Sequence, residues 1–458
     1  MKSIEVNLKI TRELIDWVES ILKNRISSNI SLDFKINPIS YDLRITNNKN
    51  YFKFPLFKAF YEFGPQKDMP CGRWIPSSEN INFFNYEVAT PGIKTIDRLI
   101  SVEENIIFIN YDIIGLIYWN FSRCEEILTD KNFLDQHKRF QSKSSHAFQN
   151  KYLLSPIVDE WIFILKEIIK KYTSQIQFEK KKFKFNLTHD VDLPSLSYSK
   201  PQNIIKLFAQ KNYLKKRSIN KISEYIKLSI KGNTESISPI DPYNSFEWIM
   251  DQSESIGTKS SFYFIPDRLN KRYDGLYSID DKPIENLIEL IHNRGHFIGI
   301  HPGFDSYNSK INFSNAVNKF QTFIRKKNIN QNEWGGRMHY LRWIWPETSY
   351  FWSDSFMTYD SSLGYFDSPG FRCGTCHEFE MFDPIAQKRL NIIQRPLIVM
   401  DVSIMHYLGL DLSKEGLELI SDLVQKCKNV NGIFTLLWHN NYLYTTEQRN
   451  YYRIILNQ

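Results

Sequence analysis

The sequence predicts an α/β protein: a barrel-like (β/α) unit over residues 179–458, preceded by a smaller α+β unit over residues 1–178. Three observations predict it. Beyond residue 182 strand-like and helix-like segments alternate, which implies a parallel sheet. The alternating stretch is roughly 250 residues or more, a length that favours barrel closure over an open sheet. Before it, strand-like and helical runs mix without a repeat. With 42% hydrophobic and 24% charged residues in a chain of 458, and 18 Gly and 18 Pro, the composition supports a sizeable core and excludes a collagen-like or disordered protein.

Taken in order, the opening MKSIEVNLKITRELIDWVES carries charges throughout and lacks the apolar core of a signal peptide. Ile106 to Asn110 reads as a strand and Ile113 to Leu128 as a helix. The most apolar stretch, Asn105 to Phe121, contains Asn110 and Asp112, each costly in hydrocarbon, so no membrane span is expected and a cytoplasmic location is the default. Apolar residues near the helical period run from Ile157 to Tyr172, and the charged run Glu179 to Lys182 marks the boundary. Lys182 to His189 alternates as a strand does, and Ser260 to Pro266 is a short aromatic-rich strand. Pro283 opens a helix with the apolar face Ile284, Leu287, Ile288 and Ile291, and Gly295 stands where such a helix should stop. A strand, His296 to His301, follows at once. Helical spacing returns at Phe313, Val317, Phe320 and Ile324, and again at Leu417, Ile420, Leu423, Val424 and Cys427. Ile433 to His439 is the last clear strand.

Five cysteines, an odd number thinly spread, fit reduced thiols better than a disulfide framework. Within them Cys373-Gly-Thr-Cys376-His377 matches the CxxCH haem pattern, but a cytoplasmic chain has no route to that attachment, and the motif reads as a loop of reduced thiols beside the pocket. The net charge of +7 would assist an anionic partner, and no nucleic-acid motif accompanies it. Nine Lys/Arg against one Glu from Lys200 to Lys231 read either as a contact for an acidic glycan or as a solvated helical face. Trp343, Trp345, Trp352 and Tyr365 suit either sugar stacking or core packing.

Five segments carry candidate chemistry, each at an expected strand end, where reactive groups sit in parallel (β/α) folds. In Thr188-His189-Asp190-Val191-Asp192 the two carboxylates at i and i+2 point the same way; the ordinary alternative is an Asp-rich turn. His301 ends a strand with Asp305 four residues on, a pair able to share a divalent cation, though such pairs are common by chance. Arg337 follows a flexible glycine pair in GGRMHY and suits pairing with a carboxylate, or the surface. Asp401 ends PLIVMD. His439 ends FTLLWH, where a satisfied core histidine is the alternative.

Carboxylates, His, Arg, Asp and His in this order resemble the polysaccharide deacetylase family, the carbohydrate esterases with the NodB homology domain. The likeness spans about residues 183 to 442 through THDVD, GHFIGIHPGFDSY, RMHYLRW, YDSSLGYFDSPGFRCGTC and LLWHNN. DIIGLIYWNFSRCEE, LDQHKRF and SPIVDEW resemble the N-terminal module, of unknown role, that one branch carries. The resemblance implies a distorted (β/α) barrel of the deacetylase type. It implies Asp190 as general base, Arg337 holding that base ionised, Asp401 tuning the acid, His439 as general acid, and a backbone N–H near Tyr340 for the oxyanion. It implies a divalent metal ion on Asp192 and His301, with Asp305 standing where the family has a second histidine. Val191 intervenes between aspartates that the family keeps adjacent, which leaves the register of base and ligand open. Zinc is the first choice, and because a set of Asp192, His301 and Asp305 carries more ligand charge than usual, a harder divalent ion is the alternative. The activity implied is hydrolytic N-deacetylation of an N-acetylated saccharide, in surface polysaccharide biosynthesis or modification. A related amidohydrolase acting on a non-sugar C–N bond and a catalytically silent saccharide-binding homologue are the alternatives.

Overall fold

The computed structural model describes residues 10–37, 40–45, 50–81, 84–173, 176–198 and 235–458. The basic run Lys200 to Lys231 and the first nine residues lie outside them. The chain is mixed α/β. Its first part holds a five-stranded sheet in the order β1 (Ile30–Asn37), β2 (Ser40–Ile45), β3 (Tyr51–Pro55), β7 (Ile106–Ile109) and β6 (Ile100–Glu103), and a two-stranded pair, β4 (Cys71–Trp74) with β5 (Val88–Pro91). Helices Arg12–Arg25, Ile113–Phe121 and Ile157–Tyr172 accompany them. The helix expected to reach Leu128 stops at Phe121 because Arg123 turns left-handed, at φ 50°. The helix Ile157–Tyr172 has the bounds its apolar spacing predicts.

From Lys184 onward the strands belong to one nine-stranded sheet. They are β8 (Lys184–Val191), β9 (Ser261–Phe264), β10 (Phe297–Ile300), β11 (Gly335–Gly336), β12 (Tyr359–Asp360), β13 (Phe379–Asp383), β14 (Lys388–Gln394), β15 (Val399–Met400) and β16 (Ile433–Leu437). The order is β13-β14-β12-β11-β10-β9-β8-β16-β15, parallel throughout except for the β13–β14 hairpin. Among the described residues no regular strand pair joins its two ends. Instead residues 395–398 carry the chain from one side to the other: Arg395 N–H bonds Asp360 O at 2.8 Å, and Ile398 N–H bonds Thr435 O at 3.1 Å. The expected helix 283–291 spans Lys282–Asn293, with Pro283 in its first turn and Gly295 at φ 75° just past its end, where a side chain would be strained.

Gly335 and Gly336, read above as a flexible pair, are strand residues forced by close approach. A Cβ on Gly336 would lie 1.8 Å from Ile300 O, and one on Gly335 2.4 Å from Tyr359 O. Only glycine lets β11 lie this close to β10 and β12.

The first part is packed onto the large sheet through a continuous apolar core running from Leu14 to Leu456. Trp17 donates Nε1–H to Glu380 O at 2.8 Å and stacks on Phe382 with ring centroids 4.8 Å apart. Phe121 stacks on Phe379 at 4.1 Å. Buried Glu126 accepts from Arg123 Nε at 2.8 Å and from Arg372 Nη2 at 2.7 Å, which ties the two parts by charge as well. Trp343, Trp345, Trp352 and Tyr365 are all buried, so core packing, not sugar stacking, accounts for them. Among the described residues no helix is long and apolar enough to cross a membrane.

Candidate functional site

Parallel strands present their C-terminal ends together, and this gathers residues far apart in sequence. Asp190 closes β8 in register with Tyr263 of β9, and His301 follows β10, Arg337 β11, Asp401 β15 and His439 β16. Alternation along β8 separates His189 from Asp190. His189 is buried on the far face, donates Nδ1–H to Trp438 O at 2.6 Å and is pushed down to about 3 by burial, a neutral structural imidazole. The two carboxylates do point the same way: Asp190 Oδ2 lies 3.7 Å and Asp192 Oδ1 3.3 Å from the same atom, His301 Nε2.

Arg337 is fully buried and fully engaged. Nη1 donates to Asp190 Oδ1 at 2.7 Å, Nη2 to Thr188 Oγ1 and Ser361 Oγ at 3.0 Å each, and Nε to Ser361 O at 2.9 Å. It therefore fixes the orientation of Asp190. His439 is clamped by Asp401, whose Oδ2 accepts its backbone N–H at 2.6 Å and whose Oδ1 lies 2.8 Å from Nδ1. Burial opposes charge on His439, but Asp401 and then Asp192 outweigh it and raise the imidazole to about 9. Its Nε2 is left facing Asp192 Oδ2 at 3.6 Å.

The second imidazole of the cluster is His339. Asp192, His301 and His339 each offer one ligand atom, all within 4.8 Å of one another. His301 Nδ1 lies 2.6 Å from Arg337 O; a carbonyl only accepts, so Nδ1 carries the proton and Nε2 presents its lone pair. Nδ1 of His339 is likewise 2.8 Å from Asp274 Oδ1, which turns Nε2 toward Asp192 at 3.5 Å. Asp192 Oδ1 is buried with no hydrogen-bond partner. Burial works against its charge, and His339 with His301 nevertheless hold the carboxyl well below the usual range. Burial likewise opposes a charge on His339, which Asp192 and Asp274 raise to about 10. An orphaned carboxylate oxygen facing two imidazoles whose outer nitrogens are already held is a donor set that fits a divalent cation.

Asp305 does not join this set. Its carboxylate is 47% exposed, accepts from Asn270 Nδ2 at 2.8 Å and lies 3.6 Å from Arg342 Nη1. Side chains four apart converge on a helix, and residues 301–303 are not helical, so the spacing from His301 carries Asp305 outward. The sequence signal for His339 is that it stands two residues after Arg337, the spacing of Asp190 and Asp192, and spacing alone does not bring it to Asp192. Asp274 left no signal, lying in a loop without a motif.

Tyr340 follows His339 in a left-handed conformation, φ 62° and ψ 15°. A second group of ligand types, Asp159, Cys376 and His377, is buried at the opposite end of the sheet, where Ile433 N–H bonds Cys376 O. The CxxCH thiols are therefore not beside the carboxylate cluster. Asp159 is already used by Arg25, by Thr375 Oγ1 at 2.6 Å and by Cys376 N–H at 2.8 Å. His377 is pushed down to about 3 by burial and bonds Val430 O at 3.1 Å. This is a hydrogen-bonded joint, not a ligand set in waiting.

The model of a family of unknown function, DUF7033, matches residues 17–174. No curated protein matches the chain. Solved structures similar to it include two. One, from Mycobacterium smegmatis and described as a polysaccharide deacetylase, has a TM-score of 0.38 at 12% identity, over 61% of this chain and 84% of that one. The other, PuuE allantoinase, has a TM-score of 0.36 at 10% identity, over 60% of this chain and 84% of that one.

Proposed function

We propose that the chain is a metal-dependent hydrolase of C–N bonds that removes the acetyl group from an N-acetylated saccharide, in the making or modification of a surface polysaccharide. One observation carries the reading: the paired carboxylates, the Arg337 clamp and the Asp401–His439 pair, which resemble the deacetylase motifs position by position, converge with two further imidazoles at one end of one sheet. Asp192, His301 and His339 would hold a divalent ion, which when bound supplies Lewis acidity toward the acyl carbonyl and the attacking water. With His339 in place of Asp305 the set has one carboxylate and two imidazoles, a choice that suits zinc and removes the reason for a harder ion.

The residues divide the proton work. Asp190, oriented by Arg337, takes the proton of the attacking water. The Tyr340 N–H serves the oxyanion. His439, cationic because Asp401 and Asp192 outweigh its burial, gives its proton to the departing amine nitrogen. Water and amide become acetate and a free amino sugar. Arg337 in direct contact with Asp190 supports Asp190 as the base and Asp192 as the ligand.

The same proposal takes residues 179–458 as a distorted barrel and residues 1–178 as an N-terminal α+β module packed against it. Support comes from the passage of residues 395–398 between β12 and β16, and from the family match ending at residue 174. Five free thiols support a reducing, cytoplasmic compartment. The test is to purify the full chain, measure bound metal, and follow acetate release from a panel of N-acetyl sugars alongside Asp190→Asn. Expected are bound metal in both proteins and acetate from the parent alone. A parent that binds no metal and releases no acetate overturns the reading.

A further inference from the structure

The segment Leu134 to Phe140 is a tight hairpin, joined by a single bridge between those two residues. Asp135 organises it. Its Oδ1 accepts the N–H groups of His137 at 2.9 Å and Arg139 at 2.8 Å, and its Oδ2 accepts from Arg139 Nε at 3.0 Å and Nη2 at 2.7 Å. The hairpin reaches out of the first part of the chain onto the rim of the carboxylate–imidazole cluster. There Arg139, 5% exposed, bridges two remote segments. Nη1 donates to Tyr340 O at 3.2 Å, Nη2 to Tyr407 Oη at 3.1 Å, and the guanidinium lies 3.5 Å over the Phe366 ring. Beside it His137 sits edge-on to the Tyr340 ring at 5.3 Å, and its carbonyl accepts from Arg342 Nε at 3.0 Å.

What the hairpin grips is strained. Tyr340 and Leu341 both have left-handed backbones, φ 62° and 54°. For residues with a Cβ this conformation is unfavourable and persists only where the surroundings over-determine it. The local turn supplies part of the hold, through Leu341 N–H to Met338 O at 2.9 Å. The rings of Tyr273 and Phe304 pack on the Tyr340 side chain, and Arg139 holds its carbonyl from 201 residues away in sequence. Among the described residues the Tyr340 N–H meets no acceptor, while its neighbour His339 faces Asp192.

We propose that Arg139 is a positioning residue: it holds the Tyr340 peptide in its left-handed conformation and thereby aims the free Tyr340 N–H at the reacting acyl oxygen. The N-terminal part is then not an appendage but completes the site. The kinetic consequence rests on the hydrolase reading above; the conformational consequence does not.

The test uses the full chain with Arg139→Met, Arg139→Lys, Arg139→Ala and the charge-balanced pair Asp135→Asn/Arg139→Met, which leaves no unpaired buried carboxylate if the single variants fold poorly. In a crystal structure of the pair, Tyr340 is expected to leave the left-handed region. With a saccharide that the parent hydrolyses, kcat is expected to fall about tenfold to a hundredfold with KM within about twofold, since the interaction belongs to the transition state. Arg139→Lys is expected to keep part of the rate, and guanidinium ion to restore part of it to Arg139→Ala without accelerating the parent. A Tyr340 that keeps its φ near 62° in the pair, or a melting temperature that falls while kcat stays at the parental value, overturns the proposal. If the parent hydrolyses nothing, the hydrolase reading fails, and the conformation of Tyr340 still decides the role of Arg139.

Discussion

His339 stands beside Asp192 and His301, where spacing had put Asp305. A histidine with a carboxylate four residues on reads as a ligand pair only if the backbone between them curls, and here it runs extended before a short turn. His339 is drawn in by a bond no linear pattern displays, the one from its Nδ1 to Asp274. The prediction at this scale concerns metal affinity, read by competition with a chelating dye. Asp305→Asn leaves affinity within about twofold. Asp274→Asn weakens it about 10–100-fold, as loss of a carboxylate behind a ligating histidine does, and His339→Asn weakens it further. Equal losses in Asp305→Asn and His339→Asn would return Asp305 to the ligand set. Asp190, Asp192 and His439 stand at the ends of β8 and β16, strands long enough for period-two alternation to direct their side chains.

At the level of elements, long periodic segments were legible and short ones were not. The helices Ile157–Tyr172, Lys282–Asn293 and Lys414–Asn429 announce themselves by apolar spacing and end residues. The two-residue strands β11, β12 and β15 are too short to carry a period, and they exist because their neighbours bond them. β11 positions Arg337, and its glycines are what let it do so. Gly336→Ala places a methyl 1.8 Å from Ile300 O, so β10 and β11 must part. Overpacking of this kind costs about 1–3 kcal/mol or more. Urea unfolding is expected to show that loss, together with reduced metal affinity as His301 and Arg337 move. An unchanged unfolding midpoint would mean that the strands give way freely.

For the whole molecule, the question is how the two parts hold together. Glu126 lies between Arg123 and Arg372. Burial acts to raise its carboxyl, but Arg372 and Arg123 prevail and hold it at about 2. An unfolded Glu titrates near 4.3. The folded value is the lower one, so its stabilisation is fully present above the unfolded value and fades as pH falls toward about 2; a shift of this size corresponds to ~3 kcal/mol. Glu126→Gln takes from buried Arg372 its carboxylate partner, while Arg123 keeps Glu125 at 2.7 Å, and is expected to cost about 3–5 kcal/mol at neutral pH. Urea titrations at pH 7 and pH 3 should show that deficit shrinking at the lower pH; a deficit independent of pH would mean that Glu126 contributes by packing and not by charge. Because one apolar core runs through both parts, calorimetry of the full chain is expected to give a single transition with equal calorimetric and van't Hoff enthalpies. Two resolved transitions would show the parts to be independent. Trp17→Ala, which removes the stack on Phe382 and the bond to Glu380, is expected to cost about 3–5 kcal/mol.

By itself the sequence determined the alternation of strand and helix, the apolar faces of several long helices, and which candidate residues stand at strand ends, because periodicity and strand ends are local properties of a chain. Tertiary structure alone decided that His339 joins Asp192 and His301, that Asp305 turns away, that the CxxCH thiols lie at the far end of the sheet, and that Arg139 reaches Tyr340. Each of these depends on contacts between residues distant in sequence, whose geometry is set by how strands stack and which buried donors find acceptors, and no local pattern encodes that.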